Sequence, residues 1–411
     1  MASEFALFEL GVLFAAVAVV GGLARRLRQS VIPFYIAAGI LLGPYVAGRL
    51  GPYALGATEF VELGAELGIV FLLFFLGLEF NLNRLLANRG RIGRAGTVDL
   101  VINFGGGLLL GFALFRAFIP AFLVAGIVYI SSSAIITKSL IDLGWIANDE
   151  AEPMLGTLVY EDLFIAVYLV VATALLLGGG DIGAAVRSIG VALGVILVLL
   201  AVVWFGTPLF QRVLDVDSHE FLVLRAVGIT VLTAGAALAL GVSEAVAAFF
   251  IGMAFSSTEH VEQLERLLEP IRDIFAAVFF VWIGLVTDPL VFAGVLTLVL
   301  VAVALTVPTK LLSGYLGGRI YDLDARRSVR VGLGMTTRGE FSLIIATLAL
   351  SGAGNTVSEP VAQTIYAFAV GYVLVMSIVG TMLMQYSTPI ESALVPRLST
   401  LRSDPPAEDT G

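Results

Sequence analysis

Two adjacent carboxylates, Glu161 and Asp162, lie in a run from Met154 to Leu177 whose other residues are almost all apolar or small. A carboxylate at the centre of a membrane helix costs roughly 2.5–3.5 kcal/mol on insertion scales, so two without partners would cost about 5–7. Such a pair persists where partners and water are brought to it. Neighbours on a helix point roughly 100° apart, so one should face a cavity and the other a separate partner. Desolvation in a partly dry cavity favours the protonated acid, and a nearby cation favours the ionised one. A proton and a metal cation then compete for the same oxygens, which is the minimum chemistry for exchange. The bland alternative is a solvated pair at a membrane boundary.

Lys310, one of two lysines in the chain, follows Pro308 in the apolar segment 291–316. Its stem could snorkel to the interface. Otherwise its ammonium pairs with one of the two carboxylates, and a lysine able to lose its proton when buried also suits proton carriage. Ser131, Ser132 and Ser133 interrupt another apolar run. They are either small residues at a helix contact or a local unwinding whose hydroxyls and freed carbonyls are hard ligands for Na⁺ or K⁺. Thr336 and Thr337 offer the mirrored part. Arg338 and Glu340 beside them read as mainly structural, neutralising each other or holding broken helices together. Glu79, Glu244, His219 and His260 are assigned no transport role.

The elements that must position these residues are apolar runs. Of 411 residues 59% are hydrophobic and 13% charged, with a mean hydropathy of +1.00; soluble domains carry about 25% charged residues. Thirteen hydrophobic segments are read, near 5–24, 31–47, 59–78, 96–115, 118–138, 153–177, 183–205, 221–240, 242–256, 271–286, 291–316, 331–351 and 361–386. They predict an all-α polytopic protein in a lipid bilayer. With the N-terminus outside, inside connections hold 18 of the 23 basic residues and outside connections 3. That asymmetry places the C-terminus in the cytoplasm. Thirteen spans divide as 6+1+6, an inverted repeat in which the fifth span matches the twelfth. The serine cluster and the Thr336–Glu340 cluster are then breaks in matching positions. Residues 1–386 form the transmembrane domain, and 387–411, ending in an Asp/Pro/Glu-rich stretch, read as a short disordered tail. The start, Met1-Ala2-Ser3-Glu4, lacks the basic region of a signal peptide. Zero cysteines and a net charge of -9 exclude thiol chemistry and a basic nucleic-acid surface.

At these residues the chain resembles the cation:proton antiporter-2 superfamily, which holds Kef-type potassium and NapA-type sodium antiporters. The resemblance covers all thirteen spans. It rests on Gly39-Ile-Leu-Leu-Gly-Pro44, Phe74-Phe-Leu-Gly-Leu-Glu79, Ser131-Ser-Ser-Ala-Ile135, Glu161-Asp162, Gly241-Val-Ser243, Ala248-Phe-Phe-Ile-Gly252, Phe279-Phe-Val-Trp-Ile-Gly284, Lys310 and Arg338-Gly-Glu-Phe341. It implies an NhaA-like antiporter fold with two broken, crossed helices and a homodimer whose mobile core carries the ion like an elevator. It also implies that Asp162 is the carboxylate shared by ion and proton. Lys310 matches the lysine that, in sodium members, pairs with the acid preceding that Asp. That preceding residue is Gln in many Kef-type members and Asp in NapA-type ones, whereas here it is Glu161. No Kef-type nucleotide-binding domain follows the last span, so the resemblance implies either a separate cytoplasmic regulatory subunit or a truncated chain.

The sequence therefore predicts a plasma-membrane antiporter, not an enzyme, that exchanges K⁺ or Na⁺ for H⁺ without a cofactor, with K⁺ slightly favoured. The alternatives are an electrogenic NapA-type Na⁺/H⁺ antiporter and, more remotely, a channel or sodium-coupled symporter on the same scaffold. An intramembrane aspartyl protease needs two facing aspartates, and Asp162 is read as the one aspartate at depth.

Overall fold

Backbone groups in hydrocarbon must be satisfied within the chain, so apolar runs of this length fold as helices. The computed structural model describes residues 2–399 except 28, 52, 80–81, 178–189, 191–193, 195–196, 200, 217 and 241–243. In chain order its principal helices are α1 (Ala2–Arg26), α2 (Ile32–Leu42), α3 (Glu59–Glu79), α4 (Leu82–Asp99), α5 (Gly105–Phe115), α6 (Phe118–Tyr129), α7 (Ser133–Asp142) and α8 (Ala151–Leu177). There follow α9 (His219–Ala239), α10 (Glu244–Ser256), α11 (Val261–Leu285), α12 (Val291–Ile320), α13 (Ala325–Gly334), α14 (Glu340–Ser351), α15 (Glu359–Gln385) and α16 (Ser387–Ser399). A π-helical turn, Leu100–Phe104, joins α4 to α5. There is no β-strand among the described residues; an isolated bridge links Ala353 and Val357.

Eight of the described helical stretches are long and apolar enough to cross a membrane, and α6, α10 and α14 are shorter apolar helices. Twelve of the thirteen predicted segments coincide with described helices. The seventh, 183–205, lies mostly outside the described residues. The tenth is the apolar end of α11, whose first half is charged and continues the same helix through Pro270.

Two pairs of helices cross with their backbones almost in contact. A Cβ on Gly39 of α2 would stand 2.1 Å from the Val281 carbonyl and 2.9 Å from Gly284 Cα on α11. On Gly77 of α3 it would meet the Phe249 carbonyl at 2.1 Å and Gly252 Cα at 2.9 Å on α10. Helices in lipid gain by such close approach, because no hydrophobic force distinguishes a neighbour helix from lipid tails. All four glycines lie in the motifs singled out from the sequence.

Both polar clusters interrupt helices. Residues 130–132 run extended between α6 and α7, and a turn followed by an extended segment, 335–339, separates α13 from α14. The two segments touch where the Ser132 amide donates to the Thr337 carbonyl at 3.2 Å. Lys310 reaches this region because Gly314, one turn further along α12, lies against Gly332 of α13.

The predicted disordered tail is corrected over its first half. Residues 387–399 form α16, whose Glu391 is buried and accepts from Arg326 at 2.5 Å and Arg330 at 2.6 Å. Arg330 also donates to the buried Glu150 at 2.9 Å and stacks over Trp145. Residues 400–411 lie outside the described residues.

Burial pushes the Glu391 carboxyl up, but hydrogen bonds from Arg330 and Arg326 outweigh it and hold the group below its ordinary value. The resulting stability is complete above the free carboxyl's value of about 4.3 and is lost as pH falls through the lower folded value. The melting temperature of the purified protein should therefore drop below about pH 4, less steeply in Glu391→Gln. Gly77→Ala, which forces a Cβ into the Phe249 carbonyl, should destabilise by about 1–3 kcal/mol. Gly22→Ala, with nothing within 4 Å, should leave the melting temperature level or higher.

Candidate ion site

Each interrupted helix releases carbonyls at one half and amides at the other. Arg338, fully buried, collects the carbonyls. Its Nε donates to the Val128 carbonyl at the end of α6 (3.0 Å). Its Nη1 donates to the carbonyls of Met335 (3.2 Å), Thr336 (3.0 Å) and Thr337 (2.9 Å), beyond the end of α13. A guanidinium between two helix C-termini also opposes both macrodipoles. Ser132 and Glu340 occupy the opposite ends. The Ser132 hydroxyl accepts from the Ile135 amide at the start of α7 and donates to Glu340 at the start of α14, at 2.8 Å. This is serine's N-capping chemistry with a carboxylate added where the dipoles favour one. Arg338 and Glu340 thus serve different helix ends and hold the broken helices together, the structural part read from the sequence.

Glu161 and Asp162 diverge as helix geometry requires. Glu161 is fully buried; its Oε2 accepts from the Ser131 amide at 2.6 Å and its Oε1 from Lys310 Nζ at 2.6 Å. The Ser131 hydroxyl stands 3.0 Å from the same Oε1 and 3.2 Å from the Met335 carbonyl. Asp162, 5% exposed, turns to the other side, where the Ser133 hydroxyl donates to it at 3.3–3.4 Å. The solvated alternative is therefore wrong for both acids, and so is snorkelling for Lys310, which is fully buried.

Other expectations need correction. The carbonyls of Met335, Thr336 and Thr337 are engaged by Arg338, because a low-dielectric break cannot leave them bare. The Thr336 hydroxyl bonds back to the Gly332 carbonyl at 3.0 Å. The Thr337 hydroxyl is buried with no hydrogen-bond partner among the described residues.

Asp99 was missed. It is 2% exposed and accepts from Lys310 Nζ at 2.8 Å, so the lysine bridges two acids and not one. Its Oδ1 accepts from Ser313 (2.7 Å) and Asn103 (2.9 Å). The reading that Asp162 is the one aspartate at depth fails with it. The available signal was the i,i+4 pair Asp99 and Asn103 in an otherwise apolar stretch. Tyr129, its ring centroid 5.2 Å from Lys310 Nζ, packs with Phe164 and Phe104 at ring separations of 5.2–6.0 Å. These rings form a dry wall beside the ion pairs.

Buried carboxylates beside two interrupted helices, on a frame of helices long and apolar enough to cross a bilayer, mark a multi-pass membrane protein. A profile described as "Sodium/hydrogen exchanger, transmembrane" matches residues 12–385, and the chain belongs to that family. It is 36% identical over 386 residues to the K(+)/H(+) antiporter subunit KhtU of Bacillus subtilis, covering 93% of this chain and 94% of that one. It is 30% identical over 388 residues to the ammonium/H(+) antiporter subunit AmhT of Alkalihalophilus pseudofirmus, with the same coverage. The sodium proton antiporter MjNhaP1 of Methanocaldococcus jannaschii has the same fold, with a TM-score of 0.70 at 16% identity over 95% of this chain and 99% of that one. The resemblance drawn from the motifs is thereby confirmed at the level of the cation:proton antiporter membrane domain.

Removing the Arg338 guanidinium strands carbonyls on two helices, each a loss of about 1–3 kcal/mol. Arg338→Met should lower the melting temperature and the folded yield severely. Arg338→Lys should recover little of the loss, since an ammonium cannot reproduce the planar fork.

Proposed function

We propose that this chain is a secondary antiporter that exchanges a monovalent cation for protons across the plasma membrane, with Asp162 alternately protonated and cation-bound. The observation that carries this reading is the placement of the buried Asp162 beside the Ser131–Ser133 break, where helix interruption and a hydroxyl donor coincide. Family membership supports it, and the relatives' names supply the substrate class: K⁺, ammonium and Na⁺, each against H⁺. K⁺ is favoured through the relative at 36% identity. The 2.6 Å pair of Glu161 with Lys310 favours the runner-up, an electrogenic Na⁺/H⁺ exchanger, because sodium members pair that lysine with the preceding acid. Ser131, Ser133 and the unpartnered Thr337 hydroxyl are the oxygens assigned to help Asp162 hold the cation.

The wider architecture belongs to the same proposal. Thirteen spans in a 6+1+6 inverted repeat make the α2–α11 and α3–α10 glycine crossings counterparts. They also make the α6–α7 and α13–α14 breaks counterparts. The four glycine-linked helices belong to the static dimerisation part of a homodimer, and the helices around Asp162 to a core that moves as an elevator. The Lys/Arg distribution sets the N-terminus outside and the C-terminus in the cytoplasm. There a separate regulatory subunit is expected, in keeping with relatives named as antiporter subunits.

In proteoliposomes with an imposed pH gradient, adding K⁺ or Na⁺ should dissipate the gradient, and Asp162→Asn should reduce this to the protein-free background. Parallel runs with Li⁺, Na⁺, K⁺ and Rb⁺, each with and without a voltage clamp, assign the cation and the electrogenicity. Undiminished exchange by Asp162→Asn would remove the reading.

A further inference from the structure

A lysine buried in a membrane with one acid beside it is stranded whenever that acid lets go. Lys310 has two, and they arrive on different helices. Glu161 comes from α8 at 2.6 Å, and Asp99 from the end of α4 at 2.8 Å. Asp99 is tied to the same helix that carries Lys310, whereas Glu161 is tied to the interrupted helix. Ser313, one turn along α12 from Lys310, donates to its Oδ1, as does Asn103. Asn103 also donates to Ser313 at 2.9 Å and to the Asp99 carbonyl at 3.1 Å. The four residues form a closed lattice between the α4–π turn and α12, and Glu161 meets it at Lys310 Nζ. Glu161's remaining bonds go to Ser131 in the break, which belongs to a different part of the site.

We propose that Asp99 is the resident counter-ion of Lys310, a positioning residue that keeps the ammonium paired and in place while Glu161 exchanges its bond to Lys310 for other partners during transport. The proposal rests on the antiport reading for its transport consequences and on the lattice for its stability consequences. The two acids then have separate roles, and Glu161 can change partner because Asp99 does not. An ion pair deprived of one member strands a charge, whereas a shared ion can lose one partner and remain compensated.

The test is a coupled series in the full chain, Asp99→Asn, Glu161→Gln, the double variant, and the double variant with Lys310→Met, read by thermal melting and by exchange in proteoliposomes. Each single variant should melt within a few degrees of the parent, because Lys310 keeps one acid. The double variant should lose far more than the sum of the singles, and Lys310→Met should return most of that loss, the non-additivity expected of groups sharing one charge. In transport, Asp99→Asn should lower the maximal rate about tenfold while moving the half-saturating cation concentration less than about threefold, since Glu161 then holds Lys310 alone. Asp99→Glu should recover part of that rate. Additive melting losses without recovery by Lys310→Met, or a parental rate in Asp99→Asn, would overturn the proposal. If the parent exchanges no cation at all, the antiport reading fails, and the melting series still decides whether Asp99 and Glu161 share Lys310.

Discussion

Breaking a helix inside hydrocarbon frees amides and carbonyls that lipid cannot satisfy, and two helices are broken here beside one another. The paired breaks survive because opposite charges are set at opposite ends of the half-helices. Arg338 takes the carbonyls of both C-terminal ends, while Ser132 and Glu340 take the N-terminal ends. Everything proposed for ion handling presupposes this arrangement. Glu161 adds to this by accepting from the Ser131 amide, and the side chains of Asp162 and Lys310 are left for other work.

The geometry of α8 then separates two neighbouring acids. Glu161 turns into a dry region walled by Tyr129, Phe104 and Phe164 and meets Lys310. Asp162 turns to Ser133. One residue step along a helix thus sends two acids to different partners within the same site. The π-helical turn after Asp99 has a related effect, since an extra residue in a helical turn shifts the faces on either side of it. Asp99 and Asn103 both reach α12 across that shift.

Much of this was legible in the sequence, for local reasons. The apolar runs marked the helices, and polar residues inside them, Ser131 to Ser133 and Thr336 to Glu340, marked the breaks, since hydrocarbon tolerates neither charge nor loose backbone without cause. What escaped depended on contacts distant in sequence. Asp99 fell unremarked inside the segment 96–115, with only Asn103 one turn on to mark it; its burial is set by Lys310 and Ser313, more than two hundred positions away. The Thr336 and Thr337 carbonyls looked available because nothing local shows that Arg338 folds back over them. Residues 387–399 looked like a polar tail because the arginines that receive Glu391 sit sixty positions earlier in the chain.

The fastening of α16 has a consequence for a protein that works among dissolved ions. Glu150 and Glu391 are 1% and 2% exposed and share the guanidinium of Arg330. Mobile ions weaken a surface pair over a Debye length of about 8 Å at physiological salt, but they reach an enclosed pair much less. The carboxylates are enclosed, but the Arg330 side chain is 21% exposed and that of Arg326 58%, so rising salt loosens the Arg326 contact before the Arg330 one. Of the ties that seat the last described helix, the one through Arg330 is the more resistant to electrolyte.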